Sequence, residues 1–480
     1  MQNTEIDQTI RMSKYTKLVK NSGIFAIANI GSHVISFVLV RFYTELLSKP
    51  QYGTVDVMVT TTSLIIPIIS LAIVESVLRF SMDADNPQEV FSNGLFVAIC
   101  GSLAFAVIGP WIFVFTSYFR YFAFMLFLVF VTSIDNICAQ YVRGIGKVTI
   151  FALAGIIKTT VLAGSNILFL LGFGWKVEGY MLSMIMAALA STLFLFICSK
   201  AYKGLRIYPN KPLLKQMTKY SIPLIPNSLS WWIMNAADKY AILLLLGASF
   251  NGLYAVAHKL PSLINVCNTL FFQAWQLSAV EESNSEKKAE FYSTVFNVLA
   301  FLLFILAGFL LTLLKPITSL IASSEYQDAW RYTPFLIVGM VFAAFSSFLG
   351  TNYVAMKKTK GALKTTLVGA LVNVVLNFVF IFFIGMNGAA LATMISFAVT
   401  WIYRAIDTRA FVRINYKMIP LTFSIILILL QSILMIFGFA FSIYSGCIIC
   451  VLILMMYRKE VGGFMKIVKQ YTQKKKRKVT

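Results

Sequence analysis

The sequence predicts an all-α polytopic membrane protein of 14 transmembrane helices, arranged as two six-helix lobes followed by a C-terminal helix pair. Three observations carry that expectation. Of 480 residues, 59% are hydrophobic and only 12% are charged, about half the charge fraction of an ordinary soluble domain. Apolar runs of about 20 residues, the length that spans a bilayer as a helix, recur along nearly the whole chain. The basic residues gather in alternate connections between those runs, as the positive-inside rule requires.

Candidate spans cover approximately 22–47, 55–78, 91–117, 121–141, 148–171, 179–198, 220–246, 253–280, 291–314, 332–356, 363–383, 388–410, 418–437 and 439–457. The polar, basic start (Arg11, Lys14, Lys17, Lys20) has no apolar core ahead of it, so the first span is read as its own insertion signal. Sorting the 41 Lys and Arg by connection puts 32 on the side of the termini and five on the other, with Arg41, Lys158, Lys239 and Lys259 inside spans. Both termini are therefore expected in the cytoplasm. The net charge of +22 is a topological signal, not a nucleic-acid footprint. The tail KKKRK (474–478) is expected to lie against anionic headgroups of the bilayer lipids.

The longest inner connection, Ser199–Lys219, divides the chain. The expected organisation is a first lobe over 1–198, a cytoplasmic linker over 199–219 and a second lobe over 220–410. Helices 13 and 14 follow over 411–457, with a basic tail over 458–480. A shift of 199 lays Lys20 on Lys219, Leu46 on Leu245 and Gly53 on Gly252, and further along Asn166 with Gly179 echoes Asn377 with Gly388. Six helices is an even number, so such a repeat is parallel, with cargo expected between the halves.

Ionisable residues in hydrocarbon are costly and mark pathways. Lys219–Gly252 holds Asp238 and Lys239 side by side, with Ser228, Trp231, Asn235 and Asp238 within a quarter-turn at about 100° per residue. Helix rise puts Arg41, Lys239, His258 and Lys259 at one level in the outer half of the membrane, with Lys158 nearer the middle of its span. These cations suit an anion such as a diphosphate. The competing reading pairs Arg41 with Glu45 one turn on and lets Lys239 or Lys259 snorkel outward. Among the acids, Glu75 is expected to pair with Arg79. Asp135 either pairs with Lys158 or joins Asp238 and His258 as a candidate for H+ or Na+ coupling. The six cysteines, including the pair Cys447 and Cys450, read as packing residues. RGIGK (Arg143–Lys147) lacks the spacing of a phosphate-binding loop. No nucleophile–base set or metal spacing appears, so neither an enzyme nor a metal or cofactor is expected.

The string YSIPLIPNSLSWWIMNAADKYAILLLLGASFNGLYAVAHKLPSL (220–263) resembles the signature stretch of bacterial polysaccharide-export flippases, the Wzx-type branch of the MOP (MATE-like) superfamily. FQAWQLSAVEE (Phe272–Glu282) and LLSKPQYG (Leu46–Gly53) are similar as well. The resemblance covers about the first 410 residues. It implies two six-helix lobes around a cationic cavity, with Arg41, Lys239 and Lys259 facing it. It also implies a polyprenyl-diphosphate-linked oligosaccharide as cargo, crossing the bacterial cytoplasmic membrane by alternating access. In that reading Lys158 adds to the cationic set, Trp231, Trp232 and Asn235 contact sugar, and other polysaccharide-assembly proteins are expected partners. The first span lacks the Arg-Asp pair of peptidoglycan-precursor flippases, which disfavours lipid II. The rivals are a cation-coupled multidrug exporter of the same fold and, further off, a membrane-embedded polysaccharide polymerase.

Overall fold

A computed structural model describes residues 31, 35–116, 118–206, 208–281, 288–356, 359–438 and 442–458. Every regular element among them is helical. Residues 35–46 are helical, and the chain then runs through α1 (Lys49–Ile69), α2 (Ile73–Ser81), α3 (Pro87–Phe113), α4 (Phe122–Gly144), α5 (Val148–Asn166) and α6 (Val177–Ser199). The linker holds α7 (Lys211–Ser221), followed by α8 (Ile225–Leu245), α9 (Ala248–Ala257), α10 (Lys259–Glu281), α11 (Lys288–Thr312), α12 (Leu314–Ile321) and α13 (Pro334–Ala355). The last elements are α14 (Thr359–Ile384), α15 (Met386–Asp407), α16 (Met418–Ile436) and α17 (Ser442–Met456). Ten helical stretches are long and apolar enough to cross a membrane, and Ile443–Met456 is a shorter apolar helix. The first expected span begins outside the described residues. The seventh and eighth, interrupted by charge and by a break, are not among the ten.

Two expected spans are broken. The second stops at Ile69 because Leu71 and Ala72 both take φ of 50°. Ala72 N donates to Pro67 O (2.8 Å) and Leu71 N to Ile68 O (3.2 Å), the two bonds that close a helix through a left-handed residue. Neither residue is glycine, so the left-handed conformation carries steric strain. Gly101 of α3 makes room for that end, since a Cβ there would lie 2.0 Å from Ile69 O. The eighth span breaks at His258, between α9 and α10. Here the cause is readable. Pro261 has no N–H to offer the carbonyl four residues back, and Ala257 O accepts instead from Thr333 Oγ1 at 3.2 Å.

The chain forms two compact units. Unit 1 comprises Met1–Trp232 with Ala248–Gly252; unit 2 comprises Ile233–Gly247 with Leu253–Thr480. The division falls inside α8, and the linker belongs to unit 1.

In unit 1, α2 and α3 pack with α4 around Ile73, Val77, Phe91, Ile137 and Val142. α7 docks on the same core. Met217 is buried in it, and Ser76 Oγ donates to Met217 O at 2.6 Å. Residues 248–252 join unit 1 through a close crossing on α1. A Cβ on Gly53 would lie 2.2 Å from Ala248 O, and one on Gly252 would lie 2.0 Å from Lys49 O. The 199-residue shift that pairs Gly53 with Gly252 also pairs Lys49 with Ala248, so the crossing is reciprocal. Asn251 Nδ2 donates to Gly53 O at 3.1 Å across it.

In unit 2, Trp275 stacks on Phe348 with centroids 4.5 Å apart and donates to Thr351 Oγ1 at 2.9 Å. The final pair docks on α11 through a polar contact, Gln431 Nε2 to Thr312 Oγ1 at 3.0 Å. Gly446 admits it, since a Cβ there would sit 2.3 Å from that hydroxyl. Arg404, one of the 32 basic residues that the sequence sorts to the side of the termini, is 2% exposed. It donates to Thr365 Oγ1 (3.0 Å) and Ser346 O (2.9 Å), stitching α13, α14 and α15 together.

Candidate functional site

The sequence-predicted residues fall into two polar clusters, one per unit, and a set of cations outside them.

In unit 2 the centre is Asp238, fully buried on α8. Its Oδ2 accepts from Tyr254 OH at 2.8 Å and from Thr393 Oγ1 at 3.2 Å, and lies 3.3 Å from His258 Nε2. Its Oδ1 accepts from Lys239 N at 2.9 Å. The network continues outward from Thr393. Asn373 Nδ2 reaches both Thr393 Oγ1 and Ser396 Oγ at 3.3 Å, and Asn377 Nδ2 donates to Asn373 Oδ1 at 3.0 Å. All four of these residues are buried. Asn377 Oδ1 has no hydrogen-bond partner among the described residues. A carboxylate taken out of water is costly unless hydrogen bonds and charge replace its hydration. Hydroxyls from α9 and α15 and the imidazole at the α9–α10 break supply them. The carboxylate is thus enclosed by three side chains and one backbone N–H.

In unit 1 the resolved alternative is pairing. Lys158 Nζ reaches Asp135 Oδ2 at 2.6 Å, with Asp135 buried and Lys158 partly exposed. Asp135 Oδ1 has no hydrogen-bond partner among the described residues. Elsewhere in unit 1, Asn166 Nδ2 donates to Tyr43 OH at 3.0 Å, and Tyr43 packs on Tyr180 with centroids 4.5 Å apart. Asn166 Oδ1, like that of its repeat counterpart Asn377, is buried without a partner among the described residues.

Arg41 forms the local pair anticipated as its competing role, Nε to Glu45 Oε1 at 2.5 Å, both about half exposed. Arg79 pairs with Asp83 one turn on, not with Glu75 one turn back. Lys239 and Lys259 are half-buried, the latter in the first turn of α10. Trp231 is half-buried and Asn235 exposed. Trp232 is tied to α1, its Nε1 donating to Thr60 O (3.1 Å) and Ser63 Oγ (3.0 Å). The polar stripe expected on α8 therefore splits, with Asn235 outward and Asp238 inward. The structure joins Asp135 to Lys158 and Asp238 to His258. Arg41 and Trp232 belong to unit 1, whereas Asn235, Lys239 and Lys259 belong to unit 2.

Thr393 and Asn373 are not among the site residues that the sequence predicts, and Tyr254 is among them only within the stretch that carries the resemblance. Asn373 and Asn377, four apart in a run otherwise rich in Val, Leu and Phe, were the available signal for them, since amides inside a span are rarely idle.

Residues 18–276 match a family model described as polysaccharide biosynthesis protein, and residues 283–379 match one described as MatE. Among solved structures, the chain resembles an inward-facing multidrug resistance MATE family transporter of the MOP superfamily. The TM-score is 0.68 at 14% identity, covering 80% of this chain and 98% of that one. The lipid II flippase MurJ in an inward closed conformation gives a TM-score of 0.65 at 14% identity, covering 91% and 99%. An outward-facing MATE family transporter gives 0.63 at 15% identity, covering 82% and 95%. No curated protein matches.

Proposed function

The chain belongs to the polysaccharide biosynthesis protein family, and from that premise we propose that it turns a polyprenyl-diphosphate-linked oligosaccharide across the cytoplasmic membrane by alternating access. It is a multi-pass membrane protein with the fold of MOP-superfamily transporters, and it stands with transporters and flippases rather than with enzymes. The cargo is a capsule, exopolysaccharide or O-antigen repeat unit carried on its lipid. Arg41, Lys239 and Lys259 hold the diphosphate, Trp231 and Asn235 meet sugar, and the polyprenyl tail stays in the bilayer. The 32-to-five sorting of basic residues supports a bacterial inner-membrane protein with both termini in the cytoplasm.

One observation favours this cargo over an organic cation. Two of the in-span carboxylates that an exporter of cations could present are withdrawn, Asp238 fully buried and Asp135 4% exposed. Each is already bound within its own unit. Lys239 and Lys259, by contrast, keep part of their surface accessible. Asp238, with His258 against it, is the group through which an H+ or Na+ gradient drives the return step. Asp135, closed off by Lys158, serves packing.

The test is the triple variant Arg41→Ala, Lys239→Ala, Lys259→Ala in a surface-polysaccharide complementation assay, with membrane insertion checked by immunoblot. Loss of polysaccharide at normal protein level is expected. Full complementation would refute the phosphate role of the three cations.

A further inference from the structure

The linker carries a feature the flippase reading does not use. α7 is amphipathic, and its two faces are chemically distinct. Met217 and Ser221 are buried against unit 1, with Leu213 and Leu214 partly so. Lys211, Lys215 and Lys219, four residues apart, are all exposed and fall within an arc of about 80° at about 100° per residue. Among the described residues none of the three forms an ion pair. From Ser199 to Leu224 the sequence contains six basic residues and no acidic one.

The mounting is rigid. Asn210 caps α7, its Oδ1 accepting from Leu213 N at 3.2 Å. Asn210 and Asn93 of α3 exchange two bonds, Asn210 N to Asn93 Oδ1 (2.9 Å) and Asn93 Nδ2 to Asn210 O (3.2 Å). Asn210 Nδ2 also donates to Glu89 Oε2 at 2.8 Å. Glu89 is shared with Arg206, whose Nη1 lies 2.7 Å from Oε1. The lysine row is held out on this helix with no ion-pair partner among the described residues.

We propose that this row docks anionic phospholipid headgroups of the leaflet facing the linker. Charge complementarity selects the anion. The neighbours select a lipid surface over open water, because Tyr208 is 85% exposed, Tyr220 44% and Ile222 47%, the mixture that settles at a membrane interface. The linker leaves α6 and enters α8, so both its ends lie at one membrane face. The inference rests on the orientation proposed above only for which leaflet is bound. It does not involve the cargo.

The experiment uses the full chain reconstituted in vesicles, with a fluorescent amino acid at the exposed position Gln216. Its quenching by spin-labelled phosphatidylglycerol is compared with that by spin-labelled phosphatidylcholine at equal mole fraction. A lysine near an anionic surface is worth about a five-fold change in partition before screening. The expected preference for phosphatidylglycerol is about three-fold or more, falling to parity in Lys211→Gln, Lys215→Gln, Lys219→Gln and surviving in the corresponding triple Arg variant. Equal quenching in the unmodified protein, or an unchanged preference in the triple Gln variant, overturns the proposal. So does equal quenching accompanied by failed complementation of the triple Gln variant, which would assign the row to the phosphates of the cargo. A preference for phosphatidylglycerol in a protein that fails the flippase test leaves this proposal standing and that one refuted.

Discussion

Replacing Gly252 by Ala is the sharpest probe of how residues 248–252 are held. The added Cβ would lie 2.0 Å from Lys49 O, where real Cβ contacts essentially never fall below 3.0 Å. The helices must then separate by at least about 1 Å. Over-packing of this kind costs about 1–3 kcal/mol. The Asn251–Gly53 bond, 3.1 Å long, would stretch beyond hydrogen-bonding distance, adding about 1 kcal/mol. Gly53→Ala meets the mirrored obstacle, Ala248 O at 2.2 Å, and a similar loss of about 2–4 kcal/mol is expected from either substitution. Because both act on one crossing, the double variant should cost little more than either single one; contacting sites are non-additive in this way. Thermal unfolding of the detergent-purified protein, followed by a thiol-reactive or intrinsic fluorescence signal, measures all three. Two single variants as stable as the parent, or losses that simply add, would refute the reciprocal crossing.

Two further expectations follow from the buried carboxylates. Asp238→Asn keeps the shape of the cluster but removes its charge, so it should preserve the folded protein in size-exclusion chromatography while abolishing dependence on the coupling gradient in a vesicle assay; unchanged gradient dependence would exclude Asp238 as the coupling group. Lys158→Met strands the Asp135 charge and should destabilise by about 1–3 kcal/mol, discounted from a fully buried pair because Lys158 is partly exposed. Adding Asp135→Leu should recover much of that loss, and a double variant less stable than Lys158→Met would show that the pair is not what Asp135 is held by.

The extent of the helices was largely visible in the sequence because hydrocarbon imposes apolar runs of known length, and α3–α6, α11 and α13–α16 fall within a few residues of their expected limits. The breaks were not equally visible. Pro261 announces the one at His258, since its missing N–H must leave Ala257 O without its helical donor. Nothing in Ser70-Leu71-Ala72 announces the other, because the left-handed pair is imposed by packing and not by glycine. Side-chain partners were harder still. Glu75, Arg79 and Asp83 are spaced alike, so the sequence allows either pair, and spacing alone does not choose Asp83. Thr393 lies 155 residues from Asp238, and no local pattern links a carboxylate to a hydroxyl on another helix. Gly53 and Gly252 were matched by the repeat, yet their meaning waited for the crossing they share.

Asp238 and Lys239 show how adjacent charges come to sit in different surroundings. Neighbouring residues on a helix project about 100° apart, so one cannot follow the other into the same environment. Asp238 is directed into unit 2, where Tyr254 and Thr393 replace its lost water. Lys239 is only half-buried, while its backbone N–H is bonded to Asp238 Oδ1. Loading a cation onto Asp238 would weaken that N–H bond and shift the balance of charge next to the lysine proposed to hold diphosphate. If both proposed roles hold, ion and cargo sites are adjacent in sequence, and Lys239→Ala should change the gradient dependence that Asp238→Asn abolishes; an unchanged dependence in Lys239→Ala would separate the two sites.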